Sequence, residues 1–150
     1  MRNKLILRRK VLGLFLTFLG GFFGILFFMN IHFPLVLQDY FKQGYYQQFG
    51  PIAICVELLI AGSYLFRGHL KTNFLLTLFA FTALLDPFFN LTGLFSSLVP
   101  LYATLIFVMC AIVCLAIAFS NYFKTGKMSL VGAILSFIYG TALELFFNYI

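Results

Sequence analysis

Five mostly apolar stretches follow one another along the chain, at positions 11–29, 50–66, 73–89, 98–119 and 129–148. The runs between them are short and gather charged, amide and turn-forming residues. A helix needs about 20 apolar residues, at 1.5 Å each, to cross the roughly 30 Å hydrocarbon core of a bilayer. The stretches meet that requirement, the second and third only if they stand nearly upright or meet a locally thinned bilayer. A single helix from Asn73 to Phe119 would be too long for one crossing. Asp86, Pro87, Asn90, Gly93, Ser96 and Ser97 supply the helix-ending chemistry that divides it. The pattern predicts an all-α integral membrane protein, a five-transmembrane-helix bundle forming one domain over residues 1–150.

Composition moves the same way. With 63% hydrophobic and 9% charged residues in 150, the chain has too few charged side chains to cover a water-facing surface. The net charge of +6 would fit nucleic acid if it were spread over a face. Instead Arg2, Lys4, Arg8, Arg9 and Lys10 all precede the first apolar stretch, a membrane-orientation signal that excludes nucleic acid as the expected partner. Threading five spans from a cytoplasmic N-terminus places Arg67, Lys71, Lys124 and Lys127 on that side too, so nine of the ten basic residues lie inside and only Lys42 outside. The C-terminus is then outside, and the expected location is the bacterial inner (plasma) membrane. The first stretch is too long for a signal-peptide core and lacks a small-x-small cleavage site, so it is expected to be a retained helix.

Under this topology the four acidic residues fall at or near the outer side. Asp39 is in the loop 38–49, Glu57 lies about two turns into the second span, Asp86 ends the third, and Glu144 is close to the outer end of the fifth. Asn30, His32, Asn90, Tyr102 and Asn148 share that layer. The candidate polar pocket is therefore Asn30, His32, Glu57, Asp86, Asn90, Tyr102 and Glu144, opening outward between helices. An ionisable group inside a span is costly unless it faces the bundle interior or water. Glu57, the deepest, is expected to be buried and pairs with His32 or a cation if it is charged. Asp86 and Glu144 either line the pocket or end their helices among solvating headgroups.

Small residues recur at helical spacing. Gly132, Ser136 and Gly140 precede Glu144 at four-residue intervals, and Gly20 and Gly24 form GxxxG, both expected to be helix-packing faces. Cys55, Cys110 and Cys114 contain no C-x-x-C pair and are expected to pack as small apolar residues. His32 and His69 fall at opposite ends of the spans, which excludes a bis-His haem, and His32, Glu57 and Asp86 carry no ligand spacing, so no metal is expected. Phosphate loops, nucleophile elbows and H-E-x-x-H are absent from the sequence, and no cofactor is indicated.

The stretch from Gly20 to Pro87 resembles the DoxX-like small bacterial membrane proteins. The residues that carry the resemblance are Gly20-Gly-Phe-Phe-Gly24, His32 and Pro34, and Val56-Glu-Leu-Leu-Ile-Ala-Gly62 followed by Arg67. It covers under half the chain, and families of that kind usually have four helices. The resemblance implies a membrane subunit associated with quinone-linked redox chemistry, with Glu57 at the matching acidic position. The functional expectation is a non-enzymatic small subunit or accessory protein of an inner-membrane complex. Its partners are membrane lipids and a membrane protein or a second copy, and its outer pocket serves a quinone, a lipid or a partner helix. The alternative is an intramembrane enzyme or transporter using Glu57, Asp86 and Glu144 for proton or cation handling.

Overall fold

The computed structural model describes residues 2–149, among which there is no strand. The elements are α1 (Arg2–Met29), a 3-10 turn (Leu37–Phe41), α2 (Gln43–Gln47), α3 (Gly50–Arg67), α4 (Thr72–Leu91), α5 (Leu101–Ser120) and α6 (Leu130–Tyr149). Five helices are long and apolar enough to cross a membrane; the second candidate span, Gln43–Arg67, runs through α2 and α3. The helices extend a little beyond most of the expected stretches. α1 continues back through its basic residues, and α4 runs past Pro87, which cannot donate to the Ala83 carbonyl but does not stop the helix. Thr92 Oγ1, 3.1 Å from the Phe88 carbonyl, and Gly93 at φ 74° end it instead. Loop 38–49 is mostly taken up by the 3-10 turn and α2.

α4 is the centre of the bundle, packed against α3, α5 and α6, while α1 pairs with α3 and α2 lies on α6. Its apolar face supplies Leu76, Phe79 and Ala80, which are fully buried with Leu58, Ala61 and Leu65 of α3 and Ala103 and Ala111 of α5. The outer surface is as apolar as the core. Phe18, Phe22, Leu105, Met109, Ile138 and Phe146 are all exposed.

The α1–α3 pair is set by glycine. A Cβ on Gly62 would lie 2.5 Å from the Thr17 backbone nitrogen, one on Gly20 would lie 2.7 Å from the Cys55 carbonyl, and one on Gly13 would lie 2.8 Å from the Gly62 carbonyl. The bare backbones therefore touch, and van der Waals contact replaces side-chain interdigitation. Gly24 has only an ordinary 3.5 Å contact with Cys55, so the operative spacing on α1 is Gly13 and Gly20, two turns apart, rather than GxxxG. On α6, Ser136 is fully buried and Gly140 abuts Thr82 of α4, whereas Gly132 meets only Ser129 and Met128 at the start of its own helix.

The alternating helices gather the connections at two ends. At one, Asn73 bonds Asn121 Oδ1 at 3.1 Å and the Gly126 carbonyl, and accepts from Thr125 Oγ1 at 3.0 Å. These buried groups satisfy one another and tie α4 to the α5–α6 loop. The same end holds Arg8 with Tyr122 (3.4 Å), Arg9 against Gly68, and Lys10 over the Phe66 ring (5.9 Å). At the other end the His32 backbone N–H donates to Gln48 Oε1 at 2.7 Å, Gln43 donates to the Asn148 carbonyl, and Tyr149 donates to the Leu94 carbonyl at 2.7 Å.

The glycine contacts are directly testable by thermal unfolding of the detergent-purified protein. Gly62→Ala is expected to destabilise it by about 1–3 kcal/mol, the usual cost of overpacking. Gly21→Ala should be neutral, since its Cβ would meet only the Leu59 side chain at 3.8 Å. Equal stability of the two variants would contradict the backbone contact.

Candidate functional site

Three helices each deliver one carboxyl to the same region between them. Glu57 comes from α3, Asp86 from α4 and Glu144 from α6, and Asp86 and Glu144 each lie one turn beyond the Thr82–Gly140 contact between α4 and α6. α4 and α6 present their polar residues at four-residue spacing, Thr82 with Asp86 on one and Gly140, Glu144 and Asn148 on the other. That spacing keeps each set on one helix face. A Cβ on Gly140 would lie 2.9 Å from Thr82 Oγ1, so the two faces meet at closer range than a larger residue permits.

Glu144 is the most enclosed of the three carboxyl residues, at 2% exposure against 5% for Asp86, and Glu57 is half-buried. Glu57, expected to be buried from its depth along the span, is the least enclosed of the three, and Asp86 and Glu144, left open between the pocket and the headgroups, are both buried. Glu57 Oε2 and Glu144 Oε1 are both shut off from solvent and have no hydrogen-bond partner. The Thr82 hydroxyl, between α4 and α6, donates to the Leu78 carbonyl of its own helix at 3.1 Å. Asp86 Oδ2 accepts from Ser97 Oγ at 2.7 Å, and Asn90 Oδ1 accepts the Ser97 backbone N–H at 3.3 Å. Asn148 donates to the Glu144 carbonyl at 2.9 Å and is itself held by Gln43, which closes the end of the site.

The other sequence candidates stand apart. Asn30 is exposed and its amide returns to its own helix at the Leu26 carbonyl, 2.8 Å away. His32 is exposed and joins the structure through backbone groups bonded to Gln48. Tyr102 is exposed with its ring 6.3 Å from that of Phe23. Four of the seven candidates, Glu57, Asp86, Asn90 and Glu144, thus belong to one connected site, and Asn30, His32 and Tyr102 sit on its rim or beyond.

No family model matches this chain, and neither characterised proteins nor solved structures include a significant match to it. The site's chemistry is therefore argued from its own groups.

Thr82, Ser97 and Gln43 complete the site and were absent from the sequence candidates. Thr82 was accessible to pattern, one turn before Asp86 on the same face. Ser97 and Gln43 act across loops, where spacing carries no signal. Among the described residues the only ion pair is Lys42 with Asp39, at 2.6 Å. Also among the described residues, no three His, Cys, Asp or Glu side chains are arranged to hold a metal ion. The three carboxyls therefore lack a cationic side chain, and two of their oxygens lack any donor.

Proposed function

We propose that this chain is an integral protein of a bacterial inner membrane whose working centre, the Glu57, Asp86 and Glu144 cluster, takes up and passes protons near the outer side. The observation that carries this reading is a pair of enclosed carboxyl oxygens, one on Glu57 and one on Glu144, with, among the described residues, no donor to either and no ion pair to either residue. A carboxylate enclosed in a low-dielectric site without a counter-charge is strongly unfavourable, so such groups hold protons or an ion from outside. Protons fit better than a metal, given the lack of a coordinating arrangement.

A second reading, a small accessory subunit of an inner-membrane complex with a quinone or lipid at the pocket, is favoured by α6. It leaves Val131, Ile138 and Tyr139 exposed, an apolar face for another surface. The DoxX-like resemblance belongs with this reading and puts Glu57, one of the three carboxyls, at the matching acidic position. The two readings share a site and differ in whether the chain acts alone.

Complementation of a deletion strain, with membrane abundance measured in parallel, tests the site. Glu57→Gln, Asp86→Asn and Glu144→Gln keep shape while removing ionisation. Each is expected to abolish complementation while the protein still accumulates in the membrane. Normal complementation by all three would leave packing as the only role of these residues.

The orientation, N-terminus in the cytoplasm and C-terminus outside, is supported by the placement of nine of ten basic residues at one end. In a background with Cys55, Cys110 and Cys114 replaced, Lys42→Cys should react with an impermeant thiol reagent from outside, and Lys127→Cys only after lysis. Labelling of both from one side would end the five-span topology.

A further inference from the structure

α1 and α5 lie side by side at the bundle's edge and are joined along only half their length. Away from the basic end they close, with Phe107 edge-on to Phe23 at 5.4 Å and to Phe27 at 6.4 Å. Towards the basic end they part, leaving a wholly apolar groove of about 400 Å³ floored by Leu16 and walled by Leu19, Ile106, Met109 and Val113. A second hollow of about 390 Å³ shares Leu12 and Phe15 with the first and carries the groove along Leu7 and Val11 to Arg8.

The dimensions and the charge at the mouth fit one occupant. From Arg8 to Leu19 the groove runs eleven residues, about 17 Å of helix. One leaflet contributes about 15 Å, half of the hydrocarbon core. At the mouth Arg8 Nη1 lies 3.4 Å from the Tyr122 hydroxyl, and both side chains are exposed. Lys4, exposed one turn earlier, is on the same face of α1. Arg9 and Lys10 are engaged elsewhere, against Gly68 and Phe66, so Arg8 is the basic group at the groove. We propose that the α1–α5 groove seats one anionic glycerophospholipid of the leaflet at the basic end. Its phosphate accepts from the Arg8 guanidinium and the Tyr122 hydroxyl, and one acyl chain lies along the groove as far as the Phe23–Phe107 contact. Guanidinium and phosphate form charge-assisted, two-pronged hydrogen bonds, which a neutral surface lipid position lacks. This inference rests on the chain spanning a bilayer and is independent of the carboxylate site.

The test uses full-length protein in nanodiscs of mixed phosphatidylglycerol and phosphatidylethanolamine, released in mild detergent, with bound phospholipid counted by native mass spectrometry. One phosphatidylglycerol should be retained in preference to phosphatidylethanolamine. The double variant Arg8→Gln, Tyr122→Phe should weaken that retention by about tenfold or more, the worth of hydrogen bonds to a charged group. Met109→Trp should displace the lipid by filling the groove without altering charge, and Lys71→Gln, a charge change elsewhere at the same end, should leave retention intact. Undiminished retention in the double variant, indifference to headgroup charge, or a lipid-free dimer would overturn the proposal. Each variant is first checked for resistance to alkaline extraction from membranes. Failure of the wild-type protein there would strike the bilayer reading itself, a result separate from loss of the lipid.

Discussion

The contact between Gly140 and Thr82 fixes the distance between α6 and α4, and most of what is chemical in the structure depends on that distance. Because a Cβ at 140 would press on the Thr82 hydroxyl, α6 can lie where it does only with hydrogen at that position. One turn further along, the same closeness carries Glu144 and Asp86 on adjoining faces, and α3, which packs against both α4 and α6, carries Glu57. Small-residue packing, which in a membrane substitutes for the hydrophobic driving force, here also assembles a carboxylate cluster.

At the basic end a closed set of polar groups stands beside one enclosed atom without a partner, Arg9 Nε. Asn73, Asn121, Thr125 and Gly126 bond one another and leave nothing wanting, as expected of a structural tie. At the opposite end, Glu57 and Glu144 each keep an enclosed oxygen without a donor. Buried polar groups left unpaired are costly, so their persistence points to a proton or ligand that completes them.

The helices were legible because a helix able to cross a bilayer has a set length, and apolar stretches of about 20 residues survive in the sequence whatever their neighbours. Position along each helix was legible for the same reason, which is why Asn30, His32, Asn90, Tyr102 and the three carboxyls were assigned to one layer. The direction each faces around its helix was not, since that is set by which helices adjoin. So His32 and Tyr102 share the layer of Glu144 without sharing its site. Glu144 itself was left open between pocket and headgroups, because its nearness to the end of a span offered water. The short helix α2, which no periodicity announced, lies over that end and holds Asn148 through Gln43, shutting the water out. On α1, GxxxG was visible but the working pair is Gly13 with Gly20, chosen by the crossing of α3 rather than by the motif.

The central claim is that the three carboxyls hold protons between them in the resting protein. Infrared spectroscopy of the reconstituted protein at neutral pH reads this directly, through the C=O stretch that only a protonated carboxyl gives. A band from a carboxylic acid shielded from water, shifting on deuteration and removed or displaced by Glu144→Gln, is the result expected. Only ionised carboxylate bands, unchanged between the wild-type protein and Glu144→Gln, would contradict it.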